Sequence, residues 1–304
     1  MFSRISKKLK LSYTWPLHLM LLPAVVLLGI FCYGPMVGLV IAFERFMPTK
    51  GFFGSPWVGL EHFKMLFEIK DIYIITRNTL IISISKIVTL YVFAIIFSLL
   101  LNEVKSNFFK KIARTTTFFP FFISWAVLGG MLISILSTEG GVVNNLLSIF
   151  GIKPIYFMGN EYWFIVVLII SNIWKEFGYP MIIIFTAIIA VDLSLYEVAD
   201  LDGANRWQKM WYVTLPCIKP TIVLLAVLSL GGILNAGFDQ IFNLYNVLVM
   251  DTADIIDTYV YRIGLVGAQY SFATAVGLLK SLVGFVLIVI SYWAADKFAN
   301  YRVL

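Results

Sequence analysis

The sequence predicts an all-α integral membrane protein with six transmembrane helices and both termini in the cytoplasm. Three observations carry that reading. Of the 304 residues, 60% are hydrophobic and 13% charged, with a mean hydropathy of +0.90, against roughly 45–50% apolar residues in soluble domains. The apolar residues fall in continuous runs without period-two alternation, which favours helices over barrel strands. Lys and Arg are spread unevenly between alternate loops, which sets an orientation.

A spanning helix needs about 20 mainly apolar residues at ~1.5 Å rise each. Six segments qualify: 17–43, 78–101, 115–137, 162–191, 218–238 and 271–295. They form one membrane domain over 17–295, between a cytoplasmic segment 1–16 and a cytoplasmic tail 296–304. The basic start MFSRISKKLK resembles the head of a secretory signal. The apolar run after it is too long for one and offers no small-residue cleavage site, so it is read as a retained span. With the N-terminus inside, the cytoplasmic face collects the basic clusters at 4–10, 105–114, 206–219 and 297–302. Arg45, Lys50, Lys64, Lys70, Arg77, Lys153 and Arg262 lie outside. The net charge of +6 is therefore a topology signal, and no nucleic-acid partner is expected. The first outer loop, PTKGFFGSPWVGLEHF, is rich in Gly, Pro and aromatic residues and reads as a turn-containing cap at the interface. Cys32 and Cys217 offer neither metal spacing nor an evident pair, and read as inert packing residues.

Between the fourth and fifth runs lies EVADLDGANRWQKMWYVTLP, residues 197–216. Gly203 permits a sharp turn, and Pro216 is expected to block helix continuation at the membrane. Two short helices follow, about 192–202 and 204–214. The first carries Glu197, Asp200 and Asp202, with Ala199 and Gly203 keeping the surface low for a close approach. The second mixes Arg206 and Lys209 with Trp207, Met210, Trp211 and Tyr212, an amphipathic set that can lie on a membrane surface. The residues alone fit both a docking knob for a soluble partner and an ordinary amphipathic connector.

The order Glu197, Ala199, Gly203, Leu215, Pro216 resembles the EAA loop of membrane subunits of binding-protein-dependent ABC importers, and its wording is similar to their carbohydrate branch. Val198 stands where that motif has its middle alanine. CYGPMVGLVIAF, SPWVGLEHF, RNTLIISISKIV, LLLNEVKS, ISWAVLGG, NIWKEFGYP, AGFDQIFNLYN, DIIDTYVYRIGL and ATAVGLLKS extend the likeness along the chain to the subgroup importing complex polysaccharide fragments, alginate- and pectin-derived oligosaccharides among them. Phe121 and Val247 depart from it, where histidine and proline are expected. The resemblance implies a type I ABC importer permease fold in the bacterial cell membrane. It also implies coupling helices in which Glu197, Ala199, Asp202, Gly203, Leu215 and Pro216 dock into a cytoplasmic ATPase. The implied partners are a second homologous permease, two ATPase subunits carrying ATP and Mg, and an extracellular, lipid-anchored solute-binding protein. A homodimer of this chain stays open.

A charge at a helix centre costs about 2.5–3.5 kcal/mol on insertion scales, so a retained one faces a cavity or a partner. Lys86, Lys175, Glu176 and Lys280 lie inside spans two, four and six, and Asp239 with Gln240 closes the fifth. Neighbouring residues on a helix point about 100° apart, so Lys175 and Glu176 are expected to face different directions. Each has two readings: pore lining or an internal ion pair for Lys175 and Glu176, pore lining or snorkelling for Lys86 and Lys280. Aromatic residues accompany them, namely Trp125, Trp174, Phe177, Tyr179, Phe238, Phe242 and Tyr245. Sugars present apolar C–H faces edged by hydroxyls, so flat aromatics with flanking polar groups suit them. The three lysines suggest acidic oligosaccharides. The acids Asp251, Asp254 and Asp257 read either as a solvated loop or as a dock for the binding protein.

His18 and His62 are the only histidines, and no metal cluster, phosphate-cradling loop or nucleophile elbow appears. The chain is not expected to be an enzyme or to bind a cofactor. A rival reading is an ion-coupled secondary transporter or channel with Lys175, Glu176 and Asp239 as a charge relay. The docking loop and the absence of an inverted repeat argue against it.

Overall fold

The computed structural model describes residues 2–299, and the side chains of residues 15–293. The basic clusters at 4–10 and 297–302 lie outside the described side chains. The elements in order are α1 (Phe2–Leu28), α2 (Gly51–Gly54), α3 (Glu61–Glu68), α4 (Lys70–Glu103), α5 (Asn107–Phe118), α6 (Trp125–Ile135), α7 (Val142–Ile149) and α8 (Glu161–Glu176). Then come α9 (Gly178–Ile189), α10 (Leu193–Leu201), α11 (Arg206–Lys209), α12 (Leu215–Leu230), α13 (Phe238–Leu244), α14 (Met250–Ala253), α15 (Ile256–Tyr261) and α16 (Tyr270–Ala299). No strand joins them among the described residues, only an isolated bridge between Glu44 and Trp57.

Four helices are long and apolar enough to cross a membrane, at Trp15–Phe43, Lys70–Glu103, Arg206–Leu230 and Tyr270–Trp293. Six result if each of two bent pairs counts as one span. The run expected at 115–137 is not straight: Asn107–Phe122 meets Trp125–Ile135 at 99°. Pro120 removes a donor from the turn Phe119–Phe122, and extended Ser124 restarts the helix by capping Val127 N–H. The run expected at 162–191 bends by 50° at Phe177.

Pro216 does not end a helix, contrary to the sequence expectation. α11 passes through a π turn, Met210–Thr214, straight into α12, giving one rod over Arg206–Leu230. The π turn closes when Leu215 N–H donates to Met210 O, and the next residue is the one that lacks an N–H. The widened turn shifts the ladder by one residue there, which accommodates the proline. The same arrangement recurs ahead of Pro35, where Gly34 N–H donates to Gly29 O. The fifth run, expected to reach 238, stops at Leu230; residues 231–237 are turn and extended chain before α13 begins.

α4 has 34 residues, about 51 Å at the helical rise, well past a ~30 Å hydrocarbon core. It is the strut to which the rest packs. Ile75 joins Leu66, Ile256, Tyr259 and Phe272 near its start. Ile82 sits with Phe164, Leu168, Ile241, Leu244 and Ile255. Ala94 and Leu101 meet Met181, Ile184, Phe185 and Ile218 near its end, where Ser98 Oγ donates to Met181 O at 3.0 Å. Among helices in lipid such close packing and interhelical hydrogen bonds supply the cohesion, since lipid tails are as apolar as the side chains. The segment after Phe43 folds back on itself: Phe43 stacks on Trp57 at 5.7 Å and Arg45 pairs with Glu61 at 3.0 Å.

Candidate coupling surface and translocation path

The loop between the fourth and fifth spans is a compact two-armed unit. Asp192 Oδ1 accepts from Ser194 N–H at 2.9 Å and caps α10. That backbone hydrogen bond favours the carboxylate and lowers its pKa from the ordinary 3.8. Gly203 turns the chain at φ 73°, a left-handed conformation that a Cβ disfavours. Asn205 and Gln208 then form a reciprocal capping box on α11. Lys209 pairs with Asp200 across the turn, and the Tyr196 hydroxyl meets Thr214 Oγ1 at 2.8 Å. These braces hold the arms against each other without using the motif residues. Glu197, Asp202, Gly203 and Pro216 are exposed, and Ala199 and Leu215 are half-buried. Leu201 is 88% exposed, and Val198, Trp207, Trp211 and Tyr212 are exposed too. Beside the unit an open cleft of about 660 Å³ is lined by Lys105, Lys110, Arg206, Lys209, Ile189 and Leu193, among others. Exposed carboxylates beside a cleft lined by three lysines, Arg206 and Glu103, together with bare apolar side chains, make a surface suited to a protein partner. Sequence reading missed Tyr196, Thr214 and Asn205; for the last, N-x-x-Q was a legible capping signal.

Inside the membrane region the predicted polar residues are mostly occupied. Lys175 is buried; its Nζ donates to Phe121 O at 2.9 Å and to Glu176 Oε1 at 3.0 Å, with the rings of Phe121 and Trp125 at 5.3 and 5.4 Å. The expectation that Lys175 and Glu176 point apart is corrected: their Cβ atoms diverge, but the four-carbon lysine stem swings its tip back to the carboxylate. Lys86 is buried and neither snorkels nor lines open space, because its Nζ donates to Ala236 O at 2.6 Å. Lys280 Nζ donates to Asp257 Oδ1 at 2.5 Å and Asn235 Oδ1 at 2.7 Å. Gln240 is buried and donates to Leu168 O and Ser171 Oγ. Asp239 is exposed and makes no ion pair among the described residues, so a Lys175–Glu176–Asp239 relay is not assembled in this conformation. Of Asp251, Asp254 and Asp257, two are engaged, Asp254 with Arg262 at 2.5 Å and Asp257 with Lys280; Asp251 is exposed.

What stays open is aromatic. Tyr179 is exposed and stacks on Phe121 at 5.9 Å, which stacks on Phe118 at 5.6 Å. Trp174 is exposed at the rim of an apolar cleft of about 290 Å³, while Trp125 is half-buried over Lys175. Phe238 and Phe242 stack at 5.1 Å, Tyr261 meets Phe242 edge-on at 4.9 Å, and half-buried Tyr245 lies 6.5 Å beyond Phe242. This second aromatic strip borders a cleft of about 610 Å³ edged by Tyr270, Thr274 and Ser281.

Comparison with known proteins agrees with this geometry. Residues 91–300 match the family described as binding-protein-dependent transport system inner membrane component. The chain is 41% identical to the polygalacturonan/rhamnogalacturonan transport system permease protein YteP of Bacillus subtilis strain 168, over 93% of this chain and 88% of that one. It is 38% identical to protein LplB of the same organism, covering 93% and 89%. A crystal structure of a bacterial ABC transporter involved in import of the acidic polysaccharide alginate superimposes with a TM-score of 0.88 at 39% identity, covering 97% of this chain and 99% of that one. A second solved structure, of the alginate transporter with an alginate pentasaccharide-bound periplasmic protein, gives 0.88 at 38%, covering 97% and 98%. The chain is a multi-pass membrane protein belonging to the binding-protein-dependent transport system inner membrane component family, a permease of the sugar-importing ABC transporters.

Proposed function

We propose that this permease carries an oligosaccharide, acidic in character, across the bacterial cytoplasmic membrane after delivery by an extracellular, lipid-anchored solute-binding protein. Its six spans place both termini in the cytoplasm, with the membrane domain over 17–295. A second, homologous permease completes the path, and two ATPase subunits bind ATP and Mg, so this chain holds no cofactor and hydrolyses nothing. The observation that carries the reading is the loop 192–216, braced internally while Glu197, Asp202 and Leu201 remain exposed. The aromatic strips at Tyr179 and Phe238–Phe242 suit sugar faces, and the relatives named for pectic polymers and alginate favour an acidic cargo.

Mechanically, closure of the ATPases moves the coupling unit, and the continuous helix Arg206–Leu230 carries that displacement into the membrane. Its 25 residues make a rod of about 37 Å. It stops at the break beside the second aromatic strip, so a push at Gly203 arrives near Phe238.

The test is co-purification of this chain with its ATPase and second permease, wild type against Glu197→Lys with Gly203→Asp, followed by ATPase assays with binding protein and a panel of oligosaccharides. Loss of the ATPase with normal membrane insertion is expected. Unchanged association and unchanged stimulated hydrolysis would remove the coupling role and return the ion-coupled transporter to the lead.

A further inference from the structure

A chain that leaves helical geometry inside a membrane exposes carbonyls and N–H groups with no water to meet them, at several kcal/mol each. In the segment 231–237 the helix unwinds after Leu230 and restarts at Phe238, with Leu234 and Ala236 buried. A lysine at membrane depth is costly for the converse reason, an ammonium without acceptors. The two difficulties are solved by each other here. Lys86 Nζ of α4 donates a hydrogen bond to Ala236 O at 2.6 Å and has no carboxylate within ion-pair distance among the described residues. Lys280 of α16 reaches the same segment at Asn235 Oδ1, 2.7 Å, and is itself held by Asp257.

Gly237 completes the fastening. Its φ of 90° is in the left-handed region, and a Cβ there would lie 3.1 Å from Lys86 Nζ. A side chain at 237 would therefore strain the backbone and displace the ammonium together. From the third side Gln240 bonds to Leu168 and Ser171 of α8, which fixes the roll of α13. With Gln240, Ile241 and Leu244 buried, that roll leaves Asp239 and Phe242 exposed.

We infer that Lys86 and Lys280 are positioning residues: together they fasten the break in span five to α4 and α16, and so set where α13 presents Phe238, Asp239 and Phe242. This deepens the proposed transport function and rests on it for its purpose, though not for its geometry. Each Nζ is turned to an internal acceptor, so neither lysine is a ligand for substrate carboxylates in this state. The rod Arg206–Leu230 can then shift against a restrained α13, with the seven residues of the break absorbing the difference.

The experiment uses the assembled importer, with ATPase, second permease and binding protein, in lipid nanodiscs. In a background with Cys32→Ser and Cys217→Ser, Asp239→Cys reports on α13 through its labelling rate by a charged methanethiosulfonate, and Leu201→Cys serves as a control on the coupling unit. Lys86→Met, Lys280→Met and Gly237→Ala should each change the rate at 239 about tenfold and leave the control rate unaltered, while Lys86→Arg, which still donates, stays near the starting value. Equal labelling at 239 in all of them overturns the inference. So does a change at 201 as large as at 239, which would mean general loosening. Should Lys86→Met fail to assemble, Lys280→Met and Gly237→Ala reach the same break from other elements. Labelling needs no transport, so failure of the wild type to take up a galacturonate oligomer would strike the proposed function alone. If uptake occurs, its KM in Lys280→Met should rise with little change in kcat for galacturonate and for its neutral methyl ester alike. An effect confined to the charged oligomer would instead make the lysine a substrate ligand and overturn the positioning role.

Discussion

The loop 192–216 and the broken segment 231–245 are both polar islands in an apolar chain, and they treat their polar groups differently. At 192–216 the charges that brace the unit, Asp200 with Lys209, lie beside the exposed Glu197 and Asp202, which make no ion pair among the described residues. At 231–245 the polar side chains reach acceptors inside the fold, Lys86 at Ala236 O, Lys280 at Asn235 Oδ1 and Gln240 at Leu168 O and Ser171 Oγ, with Gln240 Oε1 left as a buried atom without a partner among the described residues. Water can solvate the first surface until a partner arrives. In the second, exposed Asp239 stands apart from the buried groups, which have to find their partners within the fold. A polar residue in the loop is therefore informative when it is idle, and one in the membrane when it is occupied.

Glycine substitution gives the widest separation between an exposed turn and a membrane-embedded break. A Cβ on Gly178, at the bend of span four, would lie 2.4 Å from Thr117 O and 2.9 Å from Phe118 Cα. Those neighbours are backbone atoms, which leaves nothing soft to move, and Gly178→Ala should cost about 3 kcal/mol. Gly203 has open space around its Cβ position and only the left-handed φ of 73° against it. There Gly203→Ala should cost about 1 kcal/mol. Thermal unfolding of the purified chain in detergent reads both. Equal losses would mean that the bend at Gly178 relaxes as freely as a solvent turn.

Ion pairs repeat the contrast at smaller scale. Removing one member of a buried pair costs about 3–5 kcal/mol, but Glu176 keeps a side-chain exposure of 28%, so Lys175→Met should fall near 2 kcal/mol. Asp200 is 61% exposed, and Lys209→Met should cost less than about 1 kcal/mol. Added salt should narrow the second effect and leave the first nearly unchanged. A loss at Lys209 matching that at Lys175 would show that the coupling unit is held far more rigidly than its exposure implies.

The same contrast explains what could be read in advance. The loop's turn at Gly203 and its helical arms follow from local signals, a glycine and residues with caps within a few positions. The break at 231–237 was hidden because its signal is not local. Ile233, Leu234 and Ala236 read as ordinary span, and the donors that stabilise the break come from Lys86, 150 residues away, and Lys280, 45 residues away. Lys175 likewise finds its acceptor far along the chain, at Phe121, 54 residues earlier. Intramembrane lysines were legible as significant, because each needs an acceptor; which acceptor was a property of the packing. Pro216 misled in the opposite direction, since a π turn lets the helix continue past a residue that ordinarily stops one.

The smallest expected effect is a pH dependence confined to the loop. The Ser194 N–H favours the charged form of Asp192 and lowers its pKa below 3.8. A depressed folded pKa means the cap contributes its full stabilisation above the ordinary value and loses it as pH falls through the lower folded value. Amides of the first turn of α10 should therefore exchange faster with solvent below about pH 4, while amides around Ile241 and Leu244, buried in the core, should not follow. Asp192→Asn keeps the acceptor and removes the titration, so its exchange rates should be flat over that range once the intrinsic chemical rate is divided out. Matching acid dependence in the variant would assign the effect to some other group. Acceleration at Ile241 along with Ser194 would make the coupling unit and the fifth span one cooperative body, and would erase the distinction between a surface that waits for a partner and a break that carries its own.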